Sequence, residues 1–311
     1  MTAVAFLGLG HMGLPMAKNL VAAGHEVHGF DVVLAAVEAA RAAGIPVAES
    51  GADAVAGAEA VITMFPAGRH VIAAYTDELL AAAAPGALFI ESSTIAVDEA
   101  RTAHELALAA GHRNVDAPVS GGVVGAENGT LAFMVGGSDE DVAAALPLLE
   151  AMGRRIVHCG GPGLGQAAKV CNNMILAVSQ IAVAEAFVLG ERLGLEHQAL
   201  FDVVSQASGQ CWSLTTNCPV PGPVPTSPAN RDYQPGFAGA LMAKDLGLAL
   251  QAIEQTSTDA KMGRLAQQLY AAFAAGDGAT RDFSGIITDI RREHRPARAE
   301  DLYDEGAGLP G

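Results

Sequence analysis

The chain has 311 residues, of which 50% are hydrophobic and 17% are charged, and its formal net charge is −16. This composition is that of a folded globular protein rather than a disordered one, and the length favours two domains. The acidic charge repels phosphate backbones and anionic lipid, so we expect no nucleic acid and no membrane as partners.

In the first half of the chain, short β-rich apolar runs alternate with alanine-rich helical stretches. This alternation predicts a parallel sheet covered by helices. The predicted strands are 4–7, 26–30, 60–64, 88–91, 115–117 and 131–135, and the helices between them include 15–23, 34–43 and 97–110.

A helix at 139–152 and a strand at 155–158 follow, and the glycine-rich run 160–163 then marks the predicted domain boundary. Beyond it the pattern is almost all helical, with helices at 165–193, 198–205, 240–255, 262–275 and 283–293 and a proline-rich loop at 218–228. We therefore predict domains at 1–163 and 164–295 and a flexible tail at 296–311. The apolar stretch 174–190 could be taken for a membrane span, but Gln180 and Glu185 interrupt it, which favours a buried helix.

The first predicted strand leads into a glycine-rich run that opens the next helix. Its members are Gly8, Leu9, Gly10, His11, Met12 and Gly13. Gly8 permits a tight turn, Gly10 lets the backbone approach a pyrophosphate, and Gly13 lets the helix pack against the strand. Asp31 ends the second strand, where a carboxylate binds ribose hydroxyls and repels a 2′-phosphate. The sequence predicts a Rossmann domain that binds NAD. The alternative interpretation of the same residues is an ordinary glycine turn and a solvent-exposed aspartate.

Four ordered motifs resemble the β-hydroxyacid dehydrogenase family: GLGHMGLPMAKNL at 8–20 with GHEV at 24–27, DAPVSGG at 116–122, GQAAKVCNN at 165–173 and MAKDL at 242–246. The resemblance covers residues 4 to about 293. It implies an NAD-binding Rossmann domain followed by an all-α domain for substrate binding and oligomerisation, joined by a long interdomain helix. It also implies a homodimer or homotetramer.

Oxidation of an alcohol needs a base for the hydroxyl proton and an acceptor for the hydride. We predict Lys169 as this base, which requires burial or a neighbouring cation such as Lys244 to lower its pKa. Asn173 lies four positions later on the same helix face and can hold the substrate hydroxyl, whereas Asn172 points elsewhere. The uncharged neighbours of Lys169 argue against a solvated lysine, which remains the alternative.

Ser120, Gly121 and Gly122 follow a short strand at the carboxyl edge of the sheet, where open α/β folds bind ligands. Two glycines expose consecutive amides and the serine adds a hydroxyl, so we predict a site for the substrate carboxylate. An ordinary glycine turn is the alternative.

The resemblance implies further contacts. Phe65 and Pro66 would contact the adenine and ribose side of the cofactor, and Thr94 would approach the nicotinamide. Lys244 would contact the cofactor, and Asp245 would orient the substrate or a lysine. His70 stands where the family has asparagine.

The sequence shows no metal-binding motif and no paired cysteine spacing, so we predict no metal and reduced thiols in a cytoplasmic protein. Segments SGQCWS at 208–213 and PVPG at 219–222 extend the resemblance, and within the family it implies oxidation of 3-hydroxyisobutyrate to methylmalonate semialdehyde, as in valine breakdown. A tartronate or succinate semialdehyde reductase and a catalytically inactive NAD-binding scaffold are the alternatives.

Overall fold

The computed structural model describes residues 1–292, and the predicted tail at 296–311 lies outside the described residues. The chain divides into two compact units. The first contains residues 1–173 and 247–259, and the second contains residues 174–246 and the chain from residue 260. The predicted boundary at residue 163 lies just before the long helix that runs from the first unit into the second.

Within residues 1–173, eight strands form one sheet. They are β1 (Ala3–Leu7), β2 (Glu26–Phe30), β3 (Ala60–Thr63), β4 (Leu88–Glu91), β5 (Arg113–Asp116), β6 (Val119–Ser120), β7 (Leu131–Gly136) and β8 (Gly153–Gly160). Their order is β2-β1-β3-β4-β5-β7-β6, and β8 pairs with β7. The confirmed Rossmann-like arrangement brings the carboxyl ends of β1 to β5 to one edge.

The alternating pattern predicted a parallel sheet, but the sheet in the structure is not wholly parallel. Strands β1 to β5 are parallel, but β7 runs antiparallel to β5 and β6. The chain between β6 and β7 spans only residues 121–130. A parallel crossover needs a dozen residues or more, so this short connection returns the chain in the opposite direction.

Helices cover both faces of this sheet. They are α1 (Gly13–Ala22), α2 (Leu34–Ala42), α3 (Gly51–Val55), α4 (Gly68–Ala74), α5 (Leu80–Ala82), α6 (Val97–Ala109), α7 (Gly122–Glu127) and α8 (Asp139–Met152). Val4 and Phe6 of β1 belong to one buried cluster, whereas Ala5 and Leu7 belong to another. Alternate residues of a strand point to opposite faces, so the apolar run of β1 supplies two cores.

The second unit is helical. The helices from α9 onward are α9 (Leu164–Arg192), α10 (His197–Val204), α11 (Trp212–Thr215), α12 (Gly239–Gln255), α13 (Lys261–Ala275) and α14 (Ile287–Arg292). Phe187, Tyr270 and Phe283 are among the buried residues of its core. The predicted helix at 283–293 is a 3-10 turn, Phe283–Ile286, followed by α14.

Helix α9 is long and apolar enough to cross a membrane by length and composition alone, among the described residues. Half of the most apolar 18-residue stretch of this helix is buried inside the structure, as in a core helix of a globular protein.

Candidate active site

The glycine-rich turn between β1 and α1 has the geometry that a dinucleotide pyrophosphate requires. A Cβ on Gly8 would lie 2.3 Å from the Met64 carbonyl oxygen, and one on Gly13 would lie 1.8 Å from the Gly8 oxygen. These two glycines therefore serve close backbone packing. Gly10 is exposed and has no atom within 4 Å of a built Cβ. The space beside Gly10 suits a close ligand, so the turn fits NAD. His11 is exposed and Met12 half-buried beside it.

Asp31 follows β2 directly and fixes the same turn. Its Oδ2 accepts a hydrogen bond from the Leu9 amide at 2.7 Å, and its Oδ1 accepts one from the Val33 amide at 2.8 Å. Each carboxylate oxygen has a second lone pair for a ribose hydroxyl. Val32 and Leu34 beside it are 88% and 68% exposed and apolar, so these neighbours supply no cation for a 2′-phosphate.

The segments after β3 and β4 carry the next predicted cofactor residues. Phe65 is half-buried and Pro66 is exposed. The Phe65 amide donates to Oγ of Ser93 at 2.7 Å, and the Ser93 amide donates to Oε1 of Glu91 at 2.7 Å. Thr94, half-buried, is the next residue along the chain. The structure thus joins the segments that hold Phe65 and Thr94 through one serine.

The predicted carboxylate site lies where β6 meets α7. Ser120 ends β6 and is half-buried, Gly121 is exposed, and Gly122 begins α7. The φ angles of the two glycines are +131° and +62°, which L side chains rarely adopt. Only glycine therefore accepts this turn without strain, and its role toward a carboxylate stays a prediction.

The predicted catalytic pair lies on α9 within the first unit. Lys169 is 7% exposed and Asn173 is 2% exposed. One helical turn separates them, so they share a face. Asn172 is exposed, and its Nδ2 donates to Oδ1 of Asn173 at 3.0 Å. This hydrogen bond engages the carbonyl oxygen of the Asn173 side chain and so orients its amide group.

Lys244 and Asp245 lie on α12 in the second unit. Lys244 Nζ is 3.6 Å from Asp245 Oδ1, and the Asp245 side chain is 7% exposed. Their approach to Lys169 and to a bound substrate stays a prediction. His70 is exposed near the start of α4.

Four buried polar residues beside the start of α9 received no role from the sequence, although the motifs contain two of them. They are Glu91, Ser93, Asp116 and Gln166. A usable signal existed, because Glu91 and Asp116 each end a strand at the edge where α/β folds bind ligands, and the three residues before Glu91 are all apolar and buried.

In the part of the chain that the structure describes, no group of three or more histidine, cysteine, aspartate or glutamate side chains is placed to hold a metal ion. The arrangement instead offers a dinucleotide turn, an acid for ribose and a buried amine beside a buried amide.

Two family models match the chain. The model described as the NAD binding domain of 6-phosphogluconate dehydrogenase matches residues 3–161. The model described as the NAD-binding domain of NADP-dependent 3-hydroxyisobutyrate dehydrogenase matches residues 163–290. Together they span both units.

Relatives of known name match over almost their whole length. A probable 3-hydroxyisobutyrate dehydrogenase of Mycobacterium tuberculosis is 58% identical over 94% of this chain and 98% of its own. An NAD-dependent L-serine dehydrogenase of Pseudomonas aeruginosa is 50% identical over 92% and 97%. A solved structure of the Mycobacterium tuberculosis 3-hydroxyisobutyrate dehydrogenase with L-serine is similar with a TM-score of 0.91, at 58% identity over 94% and 99% of the two chains. The chain therefore belongs to the 3-hydroxyisobutyrate dehydrogenase group of the β-hydroxyacid dehydrogenases, and it is an NAD-dependent oxidoreductase that acts on a CH–OH group.

Proposed function

We propose that this enzyme oxidises 3-hydroxyisobutyrate to methylmalonate semialdehyde in valine breakdown, with Lys169 as the general acid/base. One observation carries the proposal: Lys169 is buried on the same face of α9 as Asn173. The family of the chain and the names of its relatives support the substrate class.

The residues divide the reaction between them. Bound NAD supplies the hydride acceptor. Lys169 takes the hydroxyl proton, because burial disfavours the ammonium form of an amine. Asn173 holds the substrate oxygen within reach of that amine, and its own orientation is set by Asn172. During reduction of the aldehyde, the Lys169 ammonium returns the proton to the same oxygen.

The substrate carboxylate binds at the turn of Ser120, Gly121 and Gly122 in this proposal. The positive φ angles of the two glycines support it, because they allow successive backbone amides to face one side. A hydroxyl from Ser120 adds a third donor. An acid held here keeps its β-carbon in a fixed place while hydride leaves that carbon.

The direct test is Lys169→Met, with Lys18→Met as the control because Lys18 is exposed on α1. We expect Lys169→Met to lower kcat/KM at least about 1,000-fold, within the range of general acid–base catalysis. The Kd for NAD, measured by calorimetry, should stay within about twofold. The control should match the wild type. Turnover retained in Lys169→Met contradicts the proposal.

L-Serine is a second candidate substrate, because one relative at 50% identity is an L-serine dehydrogenase and the similar solved structure carries L-serine. The two acids differ at one carbon, which bears a methyl group in 3-hydroxyisobutyrate and an ammonium group in serine. A pocket that buries the methyl group rejects the charged ammonium. The ratio of kcat/KM for the two acids therefore decides between them.

The same assay should include tartronate and succinate semialdehydes, with NADH and NADPH. Faster reduction of either aldehyde would make the chain a semialdehyde reductase. Tight NAD binding without turnover of any acid would make it an inactive scaffold.

We also propose that the enzyme works in the cytoplasm as a homodimer or homotetramer, without a nucleic-acid or membrane partner. The net charge of −16 supports the last point. An unburied apolar stripe on α9 supports the oligomer: Ile175 and Leu189 are 64% and 59% exposed on the same helix.

A further inference from the structure

Four buried polar residues surround the start of α9, and we call them the helix brace: Glu91, Ser93, Asp116 and Gln166. Each is at most 2% exposed. Glu91 and Asp116 are register partners on the parallel strands β4 and β5, so both carboxylates lie at the same edge of the sheet. Burying two acids is costly unless hydrogen bonds compensate, so their partners show what the brace does.

Asp116 caps α9 from the neighbouring strand. The first amides of a helix have no partner within the helix. The Gly163 amide donates to Oδ1 of Asp116 at 2.7 Å, and the Gln166 amide donates to Oδ2 at 2.8 Å. Burial raises the pKa of Asp116, although these N–H donors oppose the shift. Because both oxygens are engaged, the carboxylate fixes the first turn of α9 against β5.

The contact between this first turn and the sheet is close. A Cβ on Gly165 would lie 2.3 Å from the Met134 carbonyl oxygen and 2.8 Å from that of Asp116. Backbone atoms cannot move aside as the end of a flexible side chain can. The start of α9 therefore has little freedom to slide along or away from the sheet.

Gln166 ties the helix to the segment after β4. Its Nε2 donates to the Ser93 carbonyl at 2.7 Å and to Oε2 of Glu91 at 3.3 Å. Its Oε1 accepts from the Ile95 amide at 3.2 Å. Thr94, the predicted nicotinamide neighbour, lies between two of these partners. One side chain thus links the first turn of α9 to a predicted cofactor segment.

The brace bears on Lys169 because of helical spacing. Gln166, Lys169 and Asn173 lie three and four positions apart, so all three occupy one face of α9. Proton transfer requires the amine to lie within hydrogen-bond reach of the hydroxyl, and a small misplacement lowers the rate strongly. We propose that Asp116 and Gln166 are positioning residues, which set the height and rotation of α9 so that Lys169 meets the substrate hydroxyl. The inference rests on the function proposed above.

Gln166→Met and Asp116→Asn test the proposal. Methionine keeps the length of the side chain and removes its polar group, whereas asparagine is the milder change because it retains one acceptor. Asp141→Asn is the matched control. Asp141 is 9% exposed at the start of α8, and it accepts from Ser138 and from Arg113, which lies at the opposite end of β5 from Asp116. Thermal melts ensure that each variant is assayed while folded.

We expect kcat to fall about 10- to 100-fold in both brace variants, with KM and the NAD Kd within about threefold. The pH at which kcat reaches half its plateau should also shift, because the surroundings of the Lys169 amine change. If the brace residues only stabilise the fold, losing the comparable helix-start acid in Asp141→Asn should lower the active fraction as well. The pH of half-maximal kcat should then stay at its wild-type value. Unchanged kcat, or an equal loss in Asp141→Asn, overturns the proposal.

Amide hydrogen exchange separates this inference from the proposed function, because it needs no turnover. At least one of the Gly163 and Gln166 amides should exchange at least about tenfold faster in Asp116→Asn than in the wild type, because asparagine keeps only one of the two acceptor oxygens. Unchanged exchange overturns the brace even if the wild type oxidises hydroxy acids. If the wild type oxidises no acid but exchange is still faster in Asp116→Asn, the proposed function is refuted and Asp116 remains the anchor of the helix.

Discussion

At the scale of single residues, Asp31 does two things with one carboxylate. It holds the glycine turn through Leu9 and the start of α2 through Val33. The charge that repels a 2′-phosphate therefore comes from a group that also shapes the pyrophosphate turn. Cofactor choice and loop geometry are coupled at this position.

Asp31→Asn should lower the ratio of kcat/KM for NAD over NADP by about 10- to 100-fold, since a hydrogen bond to a charged group contributes about 1.5–3 kcal/mol. Asparagine has one acceptor oxygen and cannot serve both amides and the ribose. Glu38→Gln, an exposed acid on α2, is the control and should leave the ratio unchanged. An unaltered ratio in Asp31→Asn would show that this carboxylate does not select the cofactor.

Some predicted site residues came from residue types in local patterns, such as glycines after a strand or a lysine with uncharged neighbours, and others, such as Phe65 and Thr94, came from the family resemblance. The brace could not be found that way. Asp116 meets the amides of Gly163 and Gln166, which are 47 and 50 positions away in the chain. Such contacts depend on which strand lies beside which helix. An acid at the carboxyl end of a strand indicates that a partner exists, but it does not say which one.

At the scale of elements, the three glycines of the β1–α1 turn have different reasons to be glycine. Gly8 and Gly13 avoid backbone atoms of the protein itself, whereas Gly10 faces open space. The GxGxxG sequence pattern does not distinguish these reasons. The structure separates those needed for folding from the one available to a ligand.

Gly10→Ala should therefore leave the melting temperature within about 2 °C of the wild type, as for an unhindered surface change. It should raise the NAD Kd at least about tenfold, because the added methyl group occupies the space that the pyrophosphate needs. Calorimetry and thermal unfolding measure the two effects. Gly13→Ala, whose Cβ would overlap the Gly8 oxygen, should instead lower the melting temperature. Normal NAD affinity in Gly10→Ala would place the phosphates elsewhere.

Elements with strong periodicity were predicted within one or two residues. Strands β2 and β4 have the predicted bounds, and α9 differs from prediction by one residue at each end. The short elements α3, α7 and β6 were not predicted. They have five, six and two residues, which is too short for a helical or strand periodicity to show in the sequence. The antiparallel direction of β7 depends on the length of the connection at 121–130, of which only Gly121 and Gly122 entered a prediction.

At the scale of the whole molecule, the part of α9 in the second unit has apolar side chains that the core of that unit does not cover. Ala177, Ala184 and Phe187 are buried in the core of the second unit. A second stripe at spacings of three and four remains uncovered or half-covered: Ile175, Ser179, Ala182, Ala186 and Leu189. This spacing is the one by which helices pack against other helices. An acidic chain that leaves such a stripe open offers a surface for a partner, and the oligomer that we propose would cover it with a second copy of the same chain.

The oligomer proposed above therefore makes a measurable prediction. Light scattering of the wild type should give two or four times the chain mass of 31.6 kDa. The double variant Ile175→Glu with Leu189→Glu should give a lower multiple, because two carboxylates in an apolar interface lose hydration without gaining partners. Leu108→Glu is the matched control, since Leu108 is 51% exposed on α6 outside the stripe, and it should keep the wild-type mass. A double variant of unchanged mass would mean that subunits meet through another surface, and a wild type of 31.6 kDa would mean that α9 stays uncovered in solution.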